Sequence, residues 1–142
     1  MVAACVVLLA GCGGSSGGFA EQANDACSDA NERVRALGPE PPILTVEQAD
    51  WLEKLTRIDR ETVATLRVLE PRDDDPGPIS SMLSGFERGL AHGAAIARAS
   101  REDDFPTLRS EVDAANVEFG RARTLAEQHG LDQCALLGRV DR

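Results

Sequence analysis

The sequence is poor in aromatic side chains and in positive charge. Its 142 residues include no tyrosine, one tryptophan and four phenylalanines, so few rings could stack on bases or sugars. Lysine and arginine together number 15 against 24 acidic residues, which gives a net charge of -9. A chain without a basic field attracts phosphate poorly, so we expect no nucleic-acid partner.

The usual sequence signatures of catalysis and metal binding are missing after Cys12. Apart from the Gly/Ser run of residues 13–18, no GxSxG pattern occurs there, and no HExxH, GxxxxGK or CxxC pattern does either. Neither histidine has a glutamate three residues before it. We therefore expect no enzyme, no cofactor and no metal. An enzyme would need catalytic groups that converge from distant segments, for example around Glu111 and Glu118.

The content of apolar residues, 42%, is that of an ordinary folded domain. The first twelve residues of the chain differ from the rest because they carry no charge and are almost all apolar. From Met1 to Cys12 the chain reads MVAACVVLLAGC, which is far shorter than the roughly 20 residues that span a bilayer. This run has the character of the hydrophobic region of a secretory signal peptide, which takes no part in the fold.

Residues Leu9, Ala10, Gly11 and Cys12 resemble the lipobox of bacterial lipoproteins. The resemblance implies cleavage after Gly11, a diacylglycerol on the thiol of Cys12, and a location at the outer face of the cytoplasmic membrane. The alternative is a buried structural cysteine after an ordinary apolar segment. Signal peptides carry a basic stretch, and none precedes Cys12, so we expect the true translation start to lie upstream of Met1.

The predicted organisation has four parts. Residues 1–11 form the signal peptide, residues 12–18 the lipidated cysteine and a Gly/Ser tether, residues 19–138 a helical bundle, and residues 139–142 a C-terminal tail. This plan is similar to that of small uncharacterised helical lipoproteins of actinobacteria. Because the domain is acidic and anionic headgroups repel it, we expect the lipid to be the membrane anchor.

Two cysteines remain in the predicted domain, Cys27 and Cys134. An even pair in an exported protein favours a disulfide. A metal site or a catalytic thiol is the alternative, although no third sulfur and no neighbouring histidine accompanies either residue.

Four segments show apolar residues at the three- and four-residue spacing of a helix, and no segment shows the alternation of a strand. The four stripes are Phe19, Ala23, Ala26, Ala30, Val34 and Leu37; Trp51, Leu55, Ile58, Thr62, Leu66 and Leu69; Ile79, Leu83, Phe86, Leu90, Gly93 and Ala97; and Leu108, Val112, Ala115, Phe119, Ala122 and Ala126.

Capping residues and breakers separate these stripes. Thr45 with Gln48 forms a capping box at the second helix, Asp104 is an expected N-cap of the fourth, and Gly130 is expected to end it. Between the second and third stripes, Pro71 to Pro78 predicts a loop.

These observations predict an all-α fold, an antiparallel up-down-up-down four-helix bundle closed by one terminal disulfide. In that topology the start of the first helix and the end of the fourth lie at the same end, where Cys27 and Cys134 fall. Stripes dominated by alanine and leucine also predict closely spaced helices with little cavity volume.

Three glycines, Gly85, Gly89 and Gly93, recur every four residues in the third segment. Glycine costs about 1 kcal/mol relative to alanine inside a helix, so three of them require an explanation. One interpretation is close helix packing along this ridge. The other is a groove that admits a ligand or a partner helix.

The remaining polar candidates have ordinary interpretations. His92 lies off its stripe and is expected to be exposed, whereas His129 lies near a helix C-terminus, where the helix dipole favours positive charge. Asp73, Asp74 and Asp75 indicate a solvated loop, because a calcium loop needs spaced ligands.

Two functional hypotheses follow from the sequence. The first is a membrane-anchored, non-enzymatic helical interaction module that binds another protein of the cell envelope. The second is a carrier or sensor of a small apolar ligand that uses the Gly85, Gly89 and Gly93 face. A cavity of about 300 Å³ or more near these glycines is the observation that the second hypothesis requires.

Overall fold

The computed structural model describes residues 16–70 and 77–141. The lipobox with Cys12, most of the expected tether, and Asp73 to Asp75 lie outside the described residues. The expectations for them remain predictions.

The described part of the chain is all-helical, as predicted, and contains no strand. Five α-helices and one 3-10 helix follow in order: α1 Ser16–Arg35, α2 Val46–Leu69, α3 Pro78–Ala91, α4 Gly93–Arg101, α5 Phe105–Gln128, and the 3-10 helix Cys134–Leu136. Helix α1 begins at Ser16, within the stretch expected to be a tether. None of the described helices is long and apolar enough to cross a membrane.

The third stripe, expected to lie on one helix, is divided between α3 and α4 at His92. The amide of His92 donates to the carbonyl of Gly89, three residues back, at 3.2 Å, and the four-residue pattern resumes with Ile96 donating to His92 at 3.0 Å. Gly89 and Gly93 flank this turn. Because glycine has no Cβ atom, it accepts a local departure from α-helical geometry more easily than other residues do. Because both halves keep one apolar face, the spacing of apolar residues gives no sign of this break.

The predicted caps are confirmed. Thr45 accepts a hydrogen bond from the amide of Gln48 at 3.0 Å, and the Gln48 side chain accepts one from the amide of Leu44 at 2.9 Å. Asp104 caps α5 by accepting from the amide of Thr107 at 3.1 Å. Gly130 follows α5 with a φ of +69°, a left-handed conformation that glycine adopts without steric cost.

The core is formed by the predicted stripes. Most of their members are buried, and Phe86, Leu66, Met82 and Leu83 are among the largest side chains that are completely enclosed. Helix α2 packs against α1, α3 and α4, and α5 packs against α3 and α4. Among the described elements α1 and α5 make no close backbone contact, and the 3-10 helix packs against both.

The Cys27–Cys134 disulfide is present and connects α1 to the 3-10 helix. Both cysteines are completely buried, and Cys27 lies near the middle of α1 and not at its start. The disulfide therefore pins the segment after α5 along the side of α1.

Two asparagines on α1 hold the same segment. Asn24 donates to the carbonyl of Gly130 at 2.8 Å and accepts from the amide of Gln133 at 3.1 Å. Asn31, which is completely buried, donates to the carbonyl of Gln133 at 3.0 Å. Asn24, Cys27 and Asn31 lie three and four residues apart, so one face of α1 carries all of these contacts.

Candidate functional site

A cavity of about 420 Å³ lies between α2, α4, α5 and the residues that follow the 3-10 helix. This volume lies within the range of roughly 300 to 1,000 Å³ that small-molecule sites occupy. The expectation of little cavity volume is therefore wrong. The cavity is lined by Glu40, Ile43, Gln48, Leu52, Leu55, Thr56, Gly89, Leu90, Gly93, Ile96, Leu108, Val112, Ala115, Asn116, Phe119, Arg123, Gly138, Arg139, Val140 and Asp141.

The walls of the cavity are mainly aliphatic. Leu52 and Leu55 come from α2, Ile96 from α4, and Leu108 and Val112 from α5. These residues lie on or beside the apolar stripes, but here the stripes face a void. Helices α2 and α5 make no close backbone contact with each other in the described part of the chain, and the cavity lies between them.

All three ridge glycines lie at close helix contacts. A Cβ atom on Gly85 would lie 3.0 Å from the Cβ of Ala122, and one on Gly89 would lie 2.6 Å from the Phe119 ring. A Cβ atom on Gly93 would lie 2.7 Å from Thr56. The ridge thus brings α3 against α5 and α4 against α2.

Gly89 and Gly93 also border the cavity, whereas Gly85 does not. The two interpretations of the ridge are therefore compatible, since the glycines that allow close packing also shape the floor of the void.

Phe119 is the aromatic part of the cavity wall. Its ring contacts Gly89, and a Cβ atom on Gly138 would lie 2.8 Å from the same ring. Gly138 has a φ of +74°, so the chain turns sharply here with a residue that tolerates this conformation. Glycine at both positions leaves room for the ring.

Residues 138–141 complete the wall of the cavity. The prediction that residues 139–142 form a tail gave them no such role. The signal in the sequence was a short apolar run before Gly138. Leu131, Ala135 and Leu137 of this run are buried. The run is too short for a helical stripe, but it indicates a segment that packs on the bundle.

One end of the cavity is basic. The guanidinium of Arg123 lies 6.0 Å from the centroid of the Phe119 ring, within the range of a cation–π contact. Burial lowers the pKa of Arg123, and the nearby charge of Arg139 lowers it further. Among the residues that the structure describes, no carboxylate forms an ion pair with Arg123, and Arg139 lies 3.9 Å from Asp141.

The opposite end carries a network of polar side chains. Gln48 is buried, donates to the carboxylate of Glu40 at 2.8 Å and accepts from the hydroxyl of Ser100 at 2.7 Å. This network lies at the start of α2 and the end of α4, near Leu108 on α5. Leu108 and Arg123 are about 20 Å apart along α5, because an α-helix rises 1.5 Å per residue.

The carboxylates considered for catalysis lie in separate pairs. Glu111 is 2.6 Å from Nδ1 of His92, which is partly buried and outside the cavity lining. Glu118 pairs with Arg88 at 2.7 Å, and this hydrogen bond lowers the pKa of Glu118. His129 is exposed at the end of α5. Residues 16–70 and 77–141 contain no group of three or more metal-ligating side chains.

No protein-family model, no curated protein and no solved structure matches this chain at a significant level. The cavity and the residues around it are therefore the features that bear on the function of this protein.

Proposed function

We propose that this protein is a non-enzymatic carrier or sensor that binds a small apolar ligand in the cavity between α2, α4 and α5. The observation that carries the proposal is an aliphatic void of about 420 Å³ that adjoins Gly89 and Gly93. Apolar surface that moves from water into such a cavity gains about 25 cal/mol per Å², so apolar contact is the main contribution that these walls offer to binding.

The contacts around the cavity support a site that exists before the ligand arrives. Arg101 at the end of α4 bonds to Asp50 at 2.7 Å and to Glu53 at 2.5 Å, which holds α4 to α2. At the floor, Gly93 meets Thr56 closely. A preformed cavity binds a ligand more tightly, because few side chains or loops have to become ordered when the ligand enters.

A binding test compares two valine substitutions on α5. Val112 lines the cavity, so Val112→Trp should fill it, whereas Val117 is 53% exposed and Val117→Trp leaves it open. The neutral dye N-phenyl-1-naphthylamine should gain fluorescence with the wild type and with Val117→Trp, and lose most of this gain with Val112→Trp. Equal binding by the two variants, or no binding by the wild type, would contradict the proposal.

We also propose that the protein is lipid-anchored through Cys12 at the outer face of the cytoplasmic membrane. The lipobox resemblance supports this, and a disulfide is typical of exported proteins. Cys12→Ser should abolish incorporation of labelled palmitate and release the protein from membranes, while Cys5→Ser in the expected leader should leave both unchanged. Labelling that persists in Cys12→Ser would contradict the anchor.

For the fold, we propose the antiparallel up-down-up-down bundle, with α3 and α4 together serving as its third helix. Two sets of contacts support antiparallel neighbours. Arg33 of α1 pairs with Glu61 of α2, whereas Gly38, which comes later than Arg33, accepts a hydrogen bond from Trp51, which comes earlier than Glu61. In the same way Gly85 of α3 lies at Ala122 of α5, whereas the later His92 pairs with the earlier Glu111.

The interaction module is the second candidate function, favoured by exposed apolar side chains at one end of the molecule. Ile43 and Val46 lie at the start of α2 and Phe105 at the start of α5, and each is about half exposed. If this patch binds an envelope protein, Val46→Ser with Phe105→Ser should abolish a defined crosslink in intact membranes. Val68→Ser, at the far end of α2, is the control, and a crosslink that survives the paired change would contradict this function.

A further inference from the structure

We infer that the ligand of the cavity is a free amphiphile with one apolar chain and a carboxylate, bound with the carboxylate at Arg123. This inference rests on the proposed function and names the ligand class that fits the cavity. Three features carry it: the cation at one end, the acidic group at the other, and the aliphatic walls between them.

Among the described residues no carboxylate lies within ion-pair distance of Arg123, although Asp141 and Glu127 act on its charge from further away. Its guanidinium is partly removed from water beside the Phe119 ring. A partly buried cation is costly unless an anion or hydrogen-bond acceptors compensate it. The ring restrains the guanidinium at the cavity, and the planar donor fork of arginine matches the two oxygens of a carboxylate.

The charges around the cavity determine the orientation of such a ligand. Arg139 lies with Arg123 at the basic end and its charge lowers the Arg123 pKa, whereas the charges of Asp141 and Glu127 raise it, so two arginines face two more distant carboxylates there. At the other end the carboxylate of Glu40 accepts a hydrogen bond from Gln48. An anionic head is repelled by Glu40 and attracted by Arg123, so the chain extends from Arg123 toward Leu52 and Leu108.

The aliphatic walls suit the chain of this ligand. Between the two polar ends the cavity presents Leu55, Ile96 and Val112 from three different helices. In the part of the chain that the structure describes, no ring other than Phe119 lines it, so a flexible chain fits its surface better than a flat aromatic molecule that needs stacking partners.

The test measures displacement of N-phenyl-1-naphthylamine from the full chain at neutral pH by decanoate, decanol and decyltrimethylammonium. These probes share a chain and differ in head-group charge. Decanoate should displace the dye at the lowest concentration and the cationic probe at the highest. Arg123→Gln should weaken decanoate about tenfold, the effect of one charge-assisted hydrogen bond, and leave decanol within about twofold.

Arg121→Gln is the matched control, because Arg121 lies two residues earlier on α5 and its side chain is 70% exposed. It should change neither probe. Arg123→Lys keeps the charge and should retain part of the preference for decanoate, which separates a charge effect from a folding defect.

The outcomes distinguish the inference from the proposed function. If Arg123→Gln weakens decanol and decanoate equally, or weakens neither, the inference is overturned while dye binding still supports the cavity. If the dye does not bind the wild type, the proposed function fails. If vesicles of phosphatidylglycerol displace the dye through Arg123 and decanoate does not, the anion comes from membrane lipid, and the free carboxylate is overturned.

Discussion

The carboxylate of Asp59 accepts a hydrogen bond from the backbone amide of Gly138 at 3.0 Å, across 79 residues of chain. Asp59 is on α2 and is completely buried, and Gly138 begins the segment that forms one wall of the cavity. A buried carboxyl group thus holds the last described segment in place. The same segment is held at Cys134 by the disulfide.

Asp59→Ala should destabilise the protein by about 2 kcal/mol, because a buried hydrogen bond is lost and the Gly138 amide loses its acceptor. Urea unfolding measures the change, and hydrogen exchange at Gly138 should accelerate. Asp113→Ala, at an exposed carboxylate on α5, should change stability little. Similar stabilities for the two variants would contradict a structural role for Asp59.

Reduction of the Cys27–Cys134 disulfide should lower stability by up to about 4 to 5 kcal/mol, since the bond closes a loop of more than 100 residues. Thermal unfolding with and without reductant measures this loss. Dye binding should weaken as well, because the segment that leads to residues 138–141 would lose its covalent bond to α1 and keep only the weaker hydrogen bonds to Asn24 and Asn31. Two free thiols in the native protein would contradict the disulfide.

Gly89→Ala and Gly120→Ala should have opposite effects on stability. Alanine gains about 1 kcal/mol over glycine inside a helix, and at Gly120 no neighbouring atom lies within 4 Å of the new Cβ. At Gly89 the new Cβ would lie 2.6 Å from the Phe119 ring, which also packs against Gly138. Overpacking of this kind costs about 1 to 3 kcal/mol, so Gly89→Ala should be net destabilising.

The two glycine variants are compared by denaturant unfolding under identical conditions. If Gly89→Ala is as stabilising as Gly120→Ala, the close approach of α3 to α5 at Phe119 is wrong.

The ion pair between Arg67 and Glu87 should make stability depend on acid pH. Hydrogen bonding to Arg67 lowers the pKa of Glu87 below its ordinary 4.5. The stabilisation is therefore complete above about pH 4.5, the unfolded-state value, and is lost as the pH falls through the lower folded-state pKa. Arg67→Met should flatten this part of the acid profile.

Arg109→Met is the control for that profile, because the Arg109–Asp113 pair spans 4.0 Å and both side chains are more than 70% exposed. Its acid profile should follow that of the wild type. An unchanged profile in Arg67→Met would show that Glu87 contributes nothing to the acid dependence.

Local signals in the sequence predicted the helices and their caps well. Spacing alone identified Ala30, Leu66 and Phe86 as core residues, because helical geometry places such residues on one face. The Thr45 cap was equally predictable, since all of its partners lie within three residues.

The cavity and the surface charge pairs depend on distances between helices, which periodicity does not give. Val112 has the right spacing for a core position, yet it lines the cavity between α2, α4 and α5, because those helices stand further apart there than core packing requires. In the same way, Asp50 and Glu53 bond to Arg101 of α4. Neighbours along a helix can be counted from the sequence, whereas neighbours across helices require the fold.

The cavity can be completed only after the helices have been made, because residues 138–141 form one of its walls and follow every described helix in the chain. Ribosomes make these residues after every helix on which they pack, and a disulfide that forms where thiols are oxidised helps to hold them. A chain that has not met an oxidant can form its helices while this wall still lacks its covalent bond to α1. If the protein has the location proposed above, its capacity to bind would rise on arrival there.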